Sequence, residues 1–171
     1  EGAGYKVVDA KPFVTEVLPT DVDFGHDGHM YISDWSNGWY SDHTGQIYRV
    51  WDSQHDDDVS IRTAQNLFRE GFAKQENSLL FQSLWHPDIR VRQRAHLELA
   101  ARGAKAQELL VGLVIDAAQP QTPRLHALWA LGVQARKAAL AGRRDAKADA
   151  VIVQLMADEA VEIRRLAARL A

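Results

Sequence analysis

Between positions 34 and 43 the chain carries Asp34, Trp35, Asn37, Trp39, Tyr40, Asp42 and His43. Two indoles and a phenol offer stacking faces. Two carboxylates, an imidazole and a carboxamide offer charge, proton exchange and hydrogen bonds. Such a set suits an aromatic quinone cofactor, a sugar or a cation, held by stacking and a few polar contacts. Asp21 joins it, because a reversal at Asp27-Gly28 brings the chain back to the end of the sheet where Asp21 lies. The expected ligand-binding residues are therefore Asp21, Asp34, Trp35, Asn37, Trp39 and His43, with no catalytic residue and no metal assigned. A structural reading competes with this one: Asp34 satisfies backbone amides of its own loop, and the tryptophans pack.

The other polar candidates have plainer explanations. His26 and His29 flank the turn and read as solvated, and His86 precedes a proline at a helix start. His96 and His126 stand beside repeated alanines, so periodicity accounts for them better than a shared metal. His55 next to Asp56, Asp57 and Asp58 reads as acidic linker rather than cation site. Asp21, Asp23 and Asp27 lack the loop-and-glutamate pattern of a known calcium motif.

The elements that must position these groups fall into two kinds. Residues 14–35 are rich in β-formers, with Asp27-Gly28 as a hairpin turn between 22–24 and 30–32. A third strand is expected at 46–50, and residues 11–18 read as a further strand. From residue 60 on the pattern is helical. Arg92-x-x-Ala95-x-x-x-Leu99 recurs as Arg124-x-x-Ala127-x-x-x-Leu131 and as Arg164-x-x-Ala167-x-x-Leu170, at spacings of 32 and then 40 residues. That is the scale of helical-hairpin repeats, which bury a core by stacking. An apolar helix pattern precedes each copy, at 79–85, 109–115 and 151–156. Pro87 near a helix start and Gly103 at a helix end supply punctuation. Ser60 or Thr63 opens a shorter helix that Gly71 stops.

Composition divides at the same place. Residues 1–60 hold twelve acids against three Lys/Arg, whereas residues 61–171 hold eleven against seventeen. Nine of the fourteen aromatic residues lie in the first 60, and alanine and leucine dominate afterwards. The expected organisation is a strand unit at 1–52, an acidic linker at 53–60 and helical repeats at 61–171, an α+β chain that is mostly α. Zero cysteines exclude disulfides, thiolate zinc sites and covalent c-type haem attachment within these residues. No apolar run approaches the ~18 residues of a membrane span.

The segment LPTDVDFGHDGHMYISDWSNGWYSDHTGQIYRVWD, followed by HPDIRVRQRAHLELAARG and TPRLHALWALG, resembles the large membrane-bound dehydrogenase proteins of the haem-binding, sugar-dehydrogenase-like type abundant in planctomycetes. The resemblance covers about residues 13–171. It implies that 1–52 is the partial terminal blade of a β-propeller and 61–171 a HEAT-like α-α solenoid. It also implies a periplasmic or exported parent with oxidoreductase chemistry, using quinone or haem outside these residues. The expected partners are the rest of the same propeller and a cytochrome c module or another protein. The chain departs from the family in lacking most of a propeller and any Cys-x-x-Cys-His motif.

Three functions follow from these readings. The first is a C-terminal segment of a dehydrogenase-like propeller protein, its repeats acting as scaffold or docking surface without catalysis of their own. The second is a non-enzymatic interaction module. The third is a nucleic-acid-binding helical repeat using Arg90, Arg92, Arg94, Arg164 and Arg165. A balance of +6 over 111 residues, with acids interspersed, is modest for that third role.

Overall fold

In the computed structural model, which describes residues 6–35, 44–55 and 57–171, the Asp27-Gly28 pair turns the chain as the sequence predicts. Strands β1 (Pro19–Phe24), β2 (Met30–Asp34) and β3 (Gln46–Val50) form one antiparallel sheet in the order β1-β2-β3. Val22 faces Ile32 across the first pair, and Ile32 faces Tyr48 across the second. The turn closes through Gly25 N–H donating to the His29 carbonyl at 2.8 Å, with Gly28 at φ 80°. That dihedral favours glycine. Gly25 is needed for space instead: a Cβ there would lie 2.6 Å from both the Asp27 carboxylate and the Tyr31 ring.

The strand expected at 11–18 is not formed. Pro12 has no N–H to give a ladder, and Glu16 turns the chain at φ 62°. Leu18, which could continue pairing, gives its N–H to the Asp34 carboxylate and its carbonyl to Trp35 N–H.

Helix α1 (Val59–Glu70) begins at Asp58, not at Ser60 or Thr63. The Asp58 carboxylate accepts the Ser60 N–H at 2.7 Å and the Ser60 hydroxyl at 2.6 Å, which holds its carboxyl below the usual range. Gly71, at φ 89°, follows the helix end. The chain divides into two compact units between Glu70 and Gly71, so α1 belongs with the strands, whereas the sequence reading starts the second unit at 61. The reason is local. Gln65 donates to the Asp27 carbonyl at 2.7 Å, and the Phe68 ring stacks on His26 at 4.8 Å and 2°.

From Gly71 on, the unit is helical: α2 (Asn77–Gln82) with a following 3-10 turn (Ser83–Trp85), α3 (Ile89–Ala101), α4 (Ala104–Ile115), α5 (Gln121–Leu140), α6 (Ala146–Leu155) and α7 (Val161–Leu170). Pro87 lies one residue before the Asp88 N-cap rather than in the first turn of α3. α5 touches α3, α4, α6 and α7, which explains why it buries residues on most of its circumference. Leu80, Leu84, Leu99, Leu110, Leu128, Leu131, Ile152 and Ile163 form the centre of the core. The repeated Ala95, Ala127 and Ala167 are fully buried, where a small side chain lets neighbouring helices approach.

The repeated arginine has a definite job. It is the fourth residue of α3, α5 and α7, and each copy reaches back to carbonyls at or beyond the end of the preceding helix. Arg92 donates to the His86 and Pro87 carbonyls at 2.6 and 2.7 Å. Arg124 donates twice to the Val114 carbonyl, at 3.0 and 2.8 Å. Arg164 donates to the Asp158 and Glu159 carbonyls at 2.7 and 2.9 Å. Helix ends leave carbonyls without intrahelical partners, and a five-donor guanidinium satisfies several at once.

Candidate functional site

Of the residues expected to bind a ligand, Asp21, Asp34 and Trp35 lie within the described residues. Asp34 is buried, and its carboxylate accepts the Leu18 N–H at 2.8 Å. Its charge and a hydrogen bond act on Tyr48, whose hydroxyl is pushed up first by burial and then by Asp34. Asp21 is exposed and takes the N–H of its neighbour Val22 at 2.8 Å. Trp35 is half-exposed and holds Leu18 through its backbone. Asn37, Trp39 and His43, like Tyr40 and Asp42, lie outside the described residues. Among the described members, the carboxylates therefore serve nearby backbone.

A tighter polar cluster sits at the turn. Asp27 Oδ2 accepts from His29 Nδ1 at 2.8 Å and from the Tyr31 hydroxyl at 2.7 Å, and Oδ1 accepts the His29 N–H at 3.2 Å. Burial pushes the Asp27 carboxyl up, but the donors from His29 and Tyr31 outweigh it and bring it down to about 2. The Tyr31 hydroxyl is raised, chiefly by its bond to Asp27, with Arg49 acting against the shift. The Trp51 ring stands edge-on to His29 at 5.9 Å and carries Arg49 over its face at 4.8 Å. An open cleft of about 500 Å³ adjoins this cluster, with Phe13, Phe24, Trp51 and Asp52 in its walls. Sequence reasoning treated His29 as solvated. The spacing Asp27-x-His29-x-Tyr31, which puts alternate residues on one side, was the available signal.

A third cluster lies inside the helical unit. His96 Nδ1 and His126 Nδ1 are 2.9 Å apart, and Arg92 Nε is 3.1 Å from His126 Nε2. Arginine can only donate, so His126 Nε2 accepts and its proton sits on Nδ1, which donates to His96. Both rings are therefore neutral, and the surroundings agree. Burial pulls His126 down to about 3, helped by the charges of His96 and Arg92. Burial pulls His96 down to about 4 against a hydrogen bond to the Arg92 backbone. Trp129 closes the group, edge-on to His126 at 4.9 Å and 6.0 Å from His96. Nothing in the sequence spacing pairs these histidines, since one follows a repeated alanine and the other precedes one.

Four of the five arginines of the nucleic-acid reading are engaged within the protein. Arg90 pairs with Asp88, Arg165 with Glu162, and Arg92 and Arg164 hold carbonyls. Among the described residues, no group of three or more His, Asp or Glu is placed to hold a metal ion, and no helix is long and apolar enough to cross a membrane. No family model matches the chain, and neither does any curated protein or solved structure.

Proposed function

We propose that the residues up to Glu70 are the closing part of a β-propeller in a dehydrogenase-like parent protein. The residues from Gly71 on are then a HEAT-type solenoid acting as scaffold and docking surface, with no catalysis of its own. The observation that carries this reading is the bareness of the sheet. All six residues of β1 are exposed, Val22 and Phe24 by 55% and 54%, and among the described residues Ile32 is the one strand residue in the buried apolar core. A three-stranded sheet with that much apolar surface and an unpaired edge is marginal in water without further β-structure beside it. The dehydrogenase assignment, with quinone or haem bound elsewhere in the parent, rests on the resemblance of the sequence.

The test is amide exchange on β1 in the parent protein and in this chain alone. Amides of residues 19–24 should be protected at least about ten-fold more in the parent. Equal exchange in the two would remove the propeller reading. A purely interacting module is the second reading, favoured by the way Asp34 and the repeated arginines are committed to backbone groups. A quinone or haem absorption spectrum from the purified parent decides against it.

A further inference from the structure

Positions 129, 132, 133 and 136 share one face of α5, and that face lies open between α3 and α7. The resulting groove, about 360 Å³, is lined by Gln93 and His96 of α3, by Trp129, Val133 and Arg136 of α5, and by Leu170 of α7. Its floor is low because Gly132 has no side chain. A Cβ there would come within 2.6 Å of Leu170, which rests against the glycine.

Two features point to an occupant. Trp129 is 39% exposed yet fixed in orientation, because the His96–His126 pair supports its ring from beneath and Arg92 tethers that pair. An aromatic anchor that is already ordered loses little freedom on binding, and tryptophan and arginine dominate interface energetics. Charge is the second feature. Arg102, Arg124, Arg144 and Arg165 each face a carboxylate. Arg136 in the groove has no such partner among the described residues, nor do Arg94 on α3 and Arg169 on α7. Residues 71–171 hold fifteen Lys/Arg against ten Asp/Glu.

We propose that this groove binds an acidic peptide segment of a partner protein, seating an apolar side chain on Trp129, Val133 and Leu170 and a carboxylate on Arg136. The proposal rests on the reading of the helical unit as a docking surface. A phosphate backbone fits less well, because a single unpaired arginine lies in the groove, beside Trp129, Val133 and Leu170.

The experiment measures fluorescence anisotropy of the full chain with three labelled probes: a peptide alternating Glu with Leu and Phe, the same peptide with Lys for Glu, and an oligothymidylate. The acidic peptide should bind. Trp129→Ala and Arg136→Glu should each weaken it at least about ten-fold, while Leu140→Ser, on an exposed residue outside the groove, changes nothing. Arg136→Glu should also strengthen binding of the basic peptide, a gain that a folding defect would not produce. Equal binding of the two peptides, indifference to Arg136→Glu, or preference for the oligonucleotide overturns the proposal. A photo-crosslinker at position 93, on the rim of the groove and leaving Trp129 and Arg136 in place, separates the two levels in the parent. A crosslinked protein without acidic preference leaves a docking surface of other chemistry, whereas no crosslink and no peptide binding removes the docking reading as well.

Discussion

The two units of this chain solve the same problem to different degrees. The helical unit buries about twenty apolar residues in one cluster, many of them with no exposed surface. The strand unit buries Ile32, Ala64 and Leu67 and leaves Phe13, Val22, Phe24, Ile47 and Trp51 more than half bare. The same contrast holds for polar groups. Buried charge in the helical unit ties one helix to another, as Arg124 does by joining Val114 of α4 to Asp158 beyond α6. In the strand unit, Asp21, Asp23, Asp27 and Asp58 serve residues one to four positions away, with Asp34, bonded to the Leu18 N–H, as the long-range exception. Long-range satisfaction marks a unit that is complete by its own contacts. Local satisfaction with bare apolar faces marks one that needs neighbours.

The sharpest way to break the comparison is to remove the Arg124 guanidinium. Both partners of the Arg124–Asp158 pair are nearly buried, at 4% and 10% side-chain exposure. Burial pushes the Asp158 carboxyl up, and the bonds from Arg124 and the Ala160 N–H, with the nearby arginine charges, hold it below its usual range. Arg124→Ala would strand that carboxylate and two bonds to the Val114 carbonyl, a loss of about 3–5 kcal/mol. In denaturant melts of the full chain followed by helical circular dichroism, the helical transition should move far to lower denaturant. Ile32→Ala should leave that transition in place. A similar shift for both variants would mean that the two units melt as one.

The second test uses acid. The folded values of about 4 for His96 and about 3 for His126 lie below the unfolded value near 6.5. The unfolded chain therefore takes up protons first, and stability present above pH ~6.5 declines as pH falls toward the folded values. Each histidine contributes about 2 kcal/mol of loss by pH 5, before the carboxylates titrate. Among the described residues, the charges that act on His126 are those of His96 and Arg92, both cationic when charged, and no carboxylate acts on either ring. Urea melts at pH 7 and pH 5 should differ accordingly in the wild type and much less in the variant carrying both His96→Leu and His126→Leu. An unchanged pH dependence in that variant would separate the pair from the acid sensitivity.

The helical architecture was the more legible half of the sequence, because its signals are periodic and redundant. The repeated Ala and Leu mark core positions, and proline and glycine mark breaks. The strand turn was legible from Asp27-Gly28 for the same local reason. Other features depend on what lies opposite in space. A repeated arginine reads as a solvated basic face until the carbonyls ahead of it are located. His96 and His126 stand on opposite sides of their alanines, and only the approach of α3 to α5 brings them together. Helix α1 looked like the first of the helical series, since its alliance with the turn runs through Gln65 and Phe68, residues that carry no hairpin signal. Asp34, expected as a ligand contact, accepts the Leu18 N–H sixteen positions away, a pairing that residue spacing does not announce.

The smallest expected effect lies in the strand unit, at the Tyr31 hydroxyl. Tyr31→Phe removes one of three donors to Asp27 and leaves both His29 contacts in place. A neutral donor to a charged acceptor contributes roughly 1.5–3 kcal/mol when buried. The Asp27 side chain is 41% exposed, so water takes over much of the lost bond and the change in stability should be small. The pH signature is more specific than the magnitude. Asp27 is lowered to about 2 in the folded unit, so its stabilisation is present above the unfolded value near 4 and is lost as pH falls toward 2. Without Tyr31 the folded value rises, and that loss should begin from a smaller starting contribution. Exchange of the Gly25 amide, which closes the turn onto the His29 carbonyl, reports this directly. Tyr31→Phe should raise its exchange a few-fold at neutral pH and bring mutant and wild type together near pH 2. An exchange increase as large at pH 2 as at pH 7 would mean that the tyrosine stabilises the turn by packing its ring against Gly25, not by holding the carboxylate.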